Sequence, residues 1–256
     1  MLSLLPTLLV LASVTAGLRA ETRSAMRAAF EKYNSILKGN KDEGTISVAN
    51  LYNEYHHFSE GDDKWTFVMV APRNNWGEVF AHVMLSEVQR LLRDFGFQRA
   101  SLLLQYSLWH LFDMFYSENV NASTVAVTKN DNQLELVYTG QYWAGVFRNG
   151  VVIRGIPCNT VKQKNETLSL RYLFDFNPEG GYMFQDRKQV WNVEAGDILL
   201  ILHERMYKQF KQIIRVAVSI AQGYEYPAPR LVSMLRFAFD VVCRDQTPLA
   251  AIEITA

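Results

Sequence analysis

Between Asp63 and Arg73 the chain runs almost without a polar interruption, reading WTFVMVA from Trp65 to Ala71. A short apolar run closed by Pro72-Arg73-Asn74-Asn75 predicts a buried strand that enters a turn. Two helices are expected next. Ala81 to Phe95 spaces apolar and charged positions at the helical period and stops at Gly96, and Ser101 to Tyr116 is apolar nearly all round, through Leu102, Leu103, Leu104, Leu108, Trp109, Leu111, Phe112, Met114 and Phe115. A helix of that kind is covered on more than one side.

From Thr124 the period changes. Thr124 to Thr128, Leu134 to Tyr138, Trp143 to Phe147 and Val151 to Arg154 read as short strands, with turns at Asn130-Asp131-Asn132 and at Asn149-Gly150. Asparagine-glycine between apolar strands is a strong hairpin signal, because both residues tolerate positive φ. A further strand pair is expected at Leu168 to Phe174 and Gln189 to Val193, then a strand at Asp197 to Leu202. Arg205 to Gln222 has a helical pattern ending at Gly223, Pro229 to Val241 begins with the proline that opens many helices, and Leu249 to Ile254 closes the chain as a strand. Upstream, residues 23 to 38 read as a helix from a threonine cap to Gly39-Asn40, and a polar stretch separates it from Trp65. Strands and helix pairs in this order belong to the layered α+β class.

The 256 residues read as one domain from 23 to 256, preceded by a targeting or anchor segment at 1–22. Hydrophobic residues make up 49% of the chain, enough for a full core. Lysine plus arginine balances aspartate plus glutamate at 26 each, so no overall field draws the protein toward nucleic acid or an acidic substrate. Cys158 and Cys243 are too few for a disulfide framework and lack zinc-site spacing. The leucine-rich start permits a secretory signal, a membrane association through residues 1–17, or, with Arg19, Arg23 and Arg27 and few acids, a mitochondrial presequence. Asn121-Ala-Ser and Asn165-Glu-Thr are glycosylation sequons, relevant only on the secretory route.

Nucleophile motifs and phosphate-cradling glycine loops are absent from the sequence. His56 and His57 are adjacent and point to opposite faces of an extended chain, while His82, His110 and His203 are isolated; packing or surface placement is the expectation for all. Lys208, Lys211 and Arg215 fall on one side of their helix, a solvated face or a basic surface for RNA or an acidic partner. Leu102 to Tyr116 offers more apolar surface than one sheet covers, which admits burial against a partner.

The string Leu136 to Gly150, LVYTGQYWAGVFRNG, resembles the N-x-G-D-S-x-x-x-x-x-R-x-G segment of the metal-dependent type 2C protein phosphatases at Gly140, Arg148 and Gly150. The family's aspartate and serine are Gln141 and Tyr142. Gly61-Asp62-Asp63 resembles the family's acidic opening, Val70 to Trp76 falls where the short mitochondrial branch reads A-D-G-V-G-G-W, Asn121 to Thr124 stands at the G-S-[ST]-T strand entry, and Gly196 to Arg205 is similar to G-D-x-[IL]-[IL]-x-[AC]-[ST]-D-G. The resemblance runs from about Gly61 to the C-terminus. It implies a four-layer α-β-β-α sandwich of two antiparallel sheets flanked by helix pairs.

Members of that family hold two divalent ions between aspartates at strand ends, and a bridging water attacks the phosphoryl group. Here the corresponding aspartate-glycine pairs are Ala71-Pro72 and Glu204-Arg205, and the C-terminal motif falls at Gln246-Thr247, with Asp245 one position early. The phosphate-gripping arginine has no counterpart. Asp62, Asp63, Glu204 and Asp245 are the acids left as candidates for a single weak metal site. The resemblance therefore implies a catalytically inactive phosphatase-like protein without a cofactor, acting as a structural subunit or assembly factor of a larger complex. A mitochondrial location is the expectation, with protein partners and RNA if the complex contains it. The alternatives are a divergent phosphatase with a reduced metal site, and a secreted or membrane-tethered pseudophosphatase.

Overall fold

The computed structural model describes residues 40–43, 46–49, 54–59, 64–72, 74–96, 98–115, 120, 122–140, 142–157, 188–223, 227–243 and 249–255. In chain order the elements are β1 (Asn40–Glu43), β2 (Ile46–Ala49), β3 (Glu54–Ser59), β4 (Lys64–Pro72), α1 (Asn75–Phe95), α2 (Ala100–Phe115), β5 (Ala122–Asn130), β6 (Gln133–Thr139), β7 (Tyr142–Arg148), β8 (Val151–Gly155), β9 (Lys188–Asn192), β10 (Ile198–His203), α3 (Glu204–Ala221), α4 (Pro227–Cys243) and β11 (Leu249–Glu253). They divide between two compact units, one of residues 52–142, 156–195 and 255–256, the other of residues 1–51, 143–155 and 196–254.

The first unit is built on a five-stranded sheet of order β3-β4-β5-β6-β9, antiparallel throughout. The apolar run Trp65–Ala71 is its second strand, buried along its whole length and paired with β5 from Lys64↔Asn130 to Pro72↔Ala122. One face takes the helix pair: Val68, Val70, Ala126 and Val137 of the sheet pack with Phe80, Met84, Val88 and Leu91 of α1 and Leu104, Leu108 and Phe115 of α2. The Phe80 and Phe115 rings meet edge to face at 5.5 Å. Truncating such a fully buried leucine to alanine costs about 2–5 kcal/mol, so this face carries much of the unit's stability.

Both helices of this unit have defined starts. Asn74 Oδ1 accepts from the Gly77 amide at 2.7 Å, capping α1, and Gly96, at φ 69°, ends it with its amide donating to the Leu92 carbonyl. The cap of α2 comes from the sheet. The Ala100 amide donates to Thr128 Oγ1 at 3.1 Å, and the amide and hydroxyl of Ser101 donate to Glu135 Oε1 at 2.9 and 2.6 Å. Three donors at the helix start are thus satisfied by β5 and β6.

The second unit has a six-stranded sheet of order β1-β2-β11-β10-β7-β8. Its β7–β8 hairpin turns at Asn149 and Gly150, both at positive φ (50° and 75°), the mirror-image turn that asparagine-glycine favours. The amphipathic α3 buries Met206, Tyr207, Phe210, Ile213, Ile214, Ala217, Val218 and Ala221. Trp143 of β7 stacks flat on Tyr207, with ring centres 3.5 Å apart and planes 7° from parallel. The same indole covers Gly145, where a Cβ would lie 2.3 Å from a ring carbon.

The α+β class, with antiparallel sheets and a helix pair on each, agrees with the sequence reading. The largest differences are two helix starts and the stretch before Trp65. Helix α1 begins at Asn75 rather than Ala81, because Asn74 is a cap and not part of a turn. Helix α4 begins at Pro227 rather than Pro229. The polar stretch before Trp65 contains three strands: β1 and β2 form a hairpin whose β2 pairs with β11, and β3 pairs with β4. The expected helix at 23–38, the segment 1–22 and the strand at 168–174 lie outside the described residues, as do Asn121, Asn165 and Cys158. Among the described residues no helix is long and apolar enough to cross a membrane.

Candidate functional site

The turn between β6 and β7 is stitched to the start of β5. Gly140, at φ 80°, packs so closely on Ser123 that a Cβ there would lie 2.3 Å from Ser123 Oγ. Tyr142 is buried, and its hydroxyl donates to the Ser123 carbonyl at 3.2 Å. The Thr124 amide donates to Thr139 Oγ1 at 3.2 Å. The glycine is therefore required by close approach as well as by φ, and the tyrosine is a packed, bonded component of the turn.

A second group of retained residues holds the β7–β8 hairpin to the turn before β10. Arg148 donates from Nε to Asp197 Oδ1 at 2.8 Å and from Nη2 to Oδ2 at 3.0 Å, a bidentate pair with Asp197 fully buried. The Asp197 carbonyl accepts from the Ile254 amide, and the Gly196 amide donates to the Ile254 carbonyl, both at 2.8 Å. Gln222, at the end of α3, reaches both turns: its Oε1 accepts from the Gly150 amide at 2.5 Å, and its Nε2 donates to the Gly196 carbonyl at 3.3 Å.

The positions where strand-end acids are expected look different. Ala71 is buried, paired with Ser123, and Pro72 is paired with Ala122, so β4 ends without a carboxylate. Glu204 is the first residue of α3. Its Oε1 lies 2.6 Å from Lys208 Nζ, one turn along the same helix, and its charge sits at the helix's positive end. Arg205 is exposed, and its amide donates to His203 Nδ1 at 3.1 Å, so His203 serves as the helix cap. Ala71 and Pro72 belong to the first unit, Glu204 and Arg205 to the second. Gln141, Gln246, Asp62, Asp63 and Asp245 lie outside the described residues. Among the described residues no three histidine, cysteine, aspartate or glutamate side chains are grouped so as to hold a metal ion.

Lys208, Lys211 and Arg215 all stand on the exposed side of α3. Lys208 is engaged by Glu204, and Lys211 Nζ lies 5.9 Å from the centre of the Tyr207 ring. Of the histidines, His57 packs edge-on against Trp65, with centres 6.4 Å apart, and His82 is exposed.

His110 forms a junction that the sequence reading left isolated. On α2, its Nδ1 contacts Glu87 Oε1 of α1 and lies 3.1 Å from Arg90 Nη2. Arg90 in turn forks onto Glu87, at 2.9 and 2.7 Å, and reaches Asp94 at 3.1 Å. The Arg90 hydrogen bonds hold the Glu87 carboxyl below its usual range, against a smaller opposing effect of burial and with help from His110, and Glu87 pushes the Arg90 guanidinium up. At Glu135 burial acts to raise the carboxyl, but the Ser101 hydroxyl and amide, with Lys188 at 2.9 Å, outweigh it and lower the group. Glu135 and Gln222 were not singled out from sequence. A lone acid inside the apolar strand LELVY was the available signal for Glu135; for Gln222 there was none, since its partners lie 72 and 26 residues away.

This arrangement of sheets and helix pairs is the fold of the type 2C protein phosphatases. The S. agalactiae serine/threonine phosphatase superposes over 84% of this chain and 96% of its own, with a TM-score of 0.57 at 11% identity. The photosystem II phosphatase PBCP matches 80% of this chain and 92% of its own, with a TM-score of 0.56 at 13% identity. The catalytic domain of the serine/threonine phosphatase PstP, a structure in complex with two manganese ions, matches 83% of this chain and all of its own, with a TM-score of 0.52 at 13% identity. No protein-family model and no curated protein sequence matches the chain.

Proposed function

We propose that this chain is a catalytically inactive type 2C phosphatase-like protein that serves as a structural subunit or assembly factor of a larger, mitochondrial complex. The observation that carries the reading is the pairing of Glu204. The acid remaining at a described motif position is drawn onto Lys208 and the start of its own helix, while the end of β4 offers Ala71 and Pro72. Two divalent ions need several carboxylates to offset four positive charges. Among the described residues, the end of β4 and the start of α3 supply one carboxylate between them, and it is engaged by Lys208.

The retained residues support the same reading. Gly140, Arg148, Gly150, Gly196 and Asp197 all make contacts that hold turns together, and Tyr142 adds one that a serine could not reach. A fold kept for its surface retains such residues and has no use for acids at its strand ends. The mitochondrial assignment rests on Arg19, Arg23 and Arg27 and on the likeness to the short branch of the family.

The test is calorimetry with manganese together with phosphopeptide turnover by the full chain. Neither binding nor turnover above the no-enzyme rate is expected. Metal-dependent turnover that disappears in Glu204→Gln would instead establish a divergent phosphatase. Affinity purification of the tagged native protein, with mass spectrometry of its partners, tests the complex and the compartment together; glycans on Asn121 or Asn165 would place the chain on the secretory route.

A further inference from the structure

The hairpin between β7 and β8 turns on Asn149 and Gly150, which stand at φ 50° and 75° between the paired residues Arg148 and Val151. Neither position is open to free exchange. Positive φ at both favours asparagine and glycine, and a Cβ added to Gly150 would lie 2.8 Å from Ser219 Cβ of α3. Asparagine is thermolabile, and most so before glycine, which sets no side chain in the path of ring closure. The fold therefore keeps the dipeptide that most readily loses its side-chain amide. Asn149 is also exposed, so water reaches it.

The chemistry starts at one atom. The Gly150 backbone nitrogen gives up its proton to hydroxide and bonds to Asn149 Cγ, while the Cγ–Nδ2 bond breaks and ammonia leaves. Water then opens the succinimide ring at either carbonyl, leaving aspartate or isoaspartate. Water is taken up, ammonia is released, and nothing is oxidised or reduced. In this hairpin the attacking nitrogen is already engaged. The Gly150 amide donates to Gln222 Oε1 at 2.5 Å, and Gln222 is itself held by its Nε2 donating to the Gly196 carbonyl at 3.3 Å. An amide that donates to a fixed acceptor must break that bond before it can lose the proton and attack.

We infer that Asn149 is a site of spontaneous deamidation and that Gln222 holds the reaction in check. The isoaspartate product carries the backbone through the former side chain and adds a carbon to a two-residue loop. Such a loop sets the register of its strands, so the damage falls on the Arg148↔Val151 pair and on Arg148, which grips Asp197. The aspartate product places a new negative charge next to Arg148. The site is independent of the proposed loss of catalysis.

Timed incubation of the full chain in mildly alkaline buffer, digestion at acid pH and mass spectrometry of the peptide containing Asn149 test this. Conversion is expected to be slow in the folded wild type and fast in the same chain held unfolded in urea. Gln222→Ala, and Gln222→Asn with a side chain one methylene shorter, are each expected to speed conversion in the folded protein about fivefold, the factor that a hydrogen bond of ordinary strength supplies. Glu204→Gln weakens the other end of the same helix and leaves Gln222 in place, so its rate should match the wild type. Circular dichroism checks that each variant is folded. Equal rates in the wild type and both Gln222 variants, a Glu204→Gln rate raised as far as theirs, or an Asn149 that survives even in the unfolded chain would each overturn the inference.

Discussion

Arg148 and Asp197 grip one another through two parallel hydrogen bonds, at 2.8 and 3.0 Å, although 49 residues separate them in sequence. The pair joins β7 to the turn that launches β10. Asp197 is 1% exposed, so its carboxylate depends on hydrogen bonds from the protein rather than from water. Arg148→Met is expected to cost about 3 kcal/mol, the order found when one partner of a buried pair is removed. Urea denaturation checks this, and an unchanged midpoint would show the pair to be dispensable.

Gly140→Ala combines two penalties, a positive φ and a Cβ within 2.3 Å of Ser123 Oγ. A loss of at least about 2 kcal/mol is expected. Paired replacement with Ser123→Gly should recover part of it by opening the space, leaving the cost of φ. Thermal melts of the single and double variants separate the two contributions.

Tyr142 stands where the resembled family has serine, and the substitution back is informative. Tyr142→Ser removes a buried ring and its bond to the Ser123 carbonyl. It is expected to destabilise by about 3 kcal/mol without producing phosphatase turnover. Tyr142→Phe keeps the ring and should cost only about 1 kcal/mol.

Glu135 makes stability depend on pH. Its folded carboxyl is lowered from the ordinary value of 4.5. Its contribution is therefore complete above that ordinary value and is lost as pH falls through the lower folded value. Glu135→Gln should flatten the acid limb of the stability profile and loosen the start of α2. Glu253, which burial raises, acts with the opposite sign. Denaturant midpoints of wild type and Glu135→Gln across the acid range measure the difference; parallel profiles would remove Glu135 from the account.

Glu204→Gln tests the helix-start role. Loss of the Lys208 pair and of the charge at the helix's positive end is expected to cost about 0.5–1.5 kcal/mol. Added manganese should leave the melting temperature of both proteins unchanged. Stabilisation of the wild type alone would mark Glu204 as a ligand.

The fold was legible where the chain speaks locally. WTFVMVA announced β4 because a strand covered on both faces has no need to alternate, and Asn149-Gly150 announced its hairpin because few other residues enter that turn at low cost. The strands β1 to β3 were not legible. β2 takes its place in the sheet from β11, near the other end of the sequence, and strands such as NKDE in β1 and EYHHFS in β3 carry no apolar run of their own. The retained framework showed itself as spaced glycines and an arginine, but Asp197 as the partner of Arg148 did not. The same limit applied to Glu135, which caps a helix 34 residues upstream. Contacts made by the folded surface leave no periodicity behind.

Gln222 has a consequence for how the second unit opens. Its side chain fastens the hairpin turn at Gly150 and the turn at Gly196 to the last residues of α3. The Gly150 amide therefore cannot reach solvent by fraying of its own hairpin alone; the end of α3 has to let go as well. Hydrogen–deuterium exchange at that single amide should follow the opening of the helix rather than of the turn, and in Gln222→Ala it should quicken toward the rate of an ordinary exposed loop.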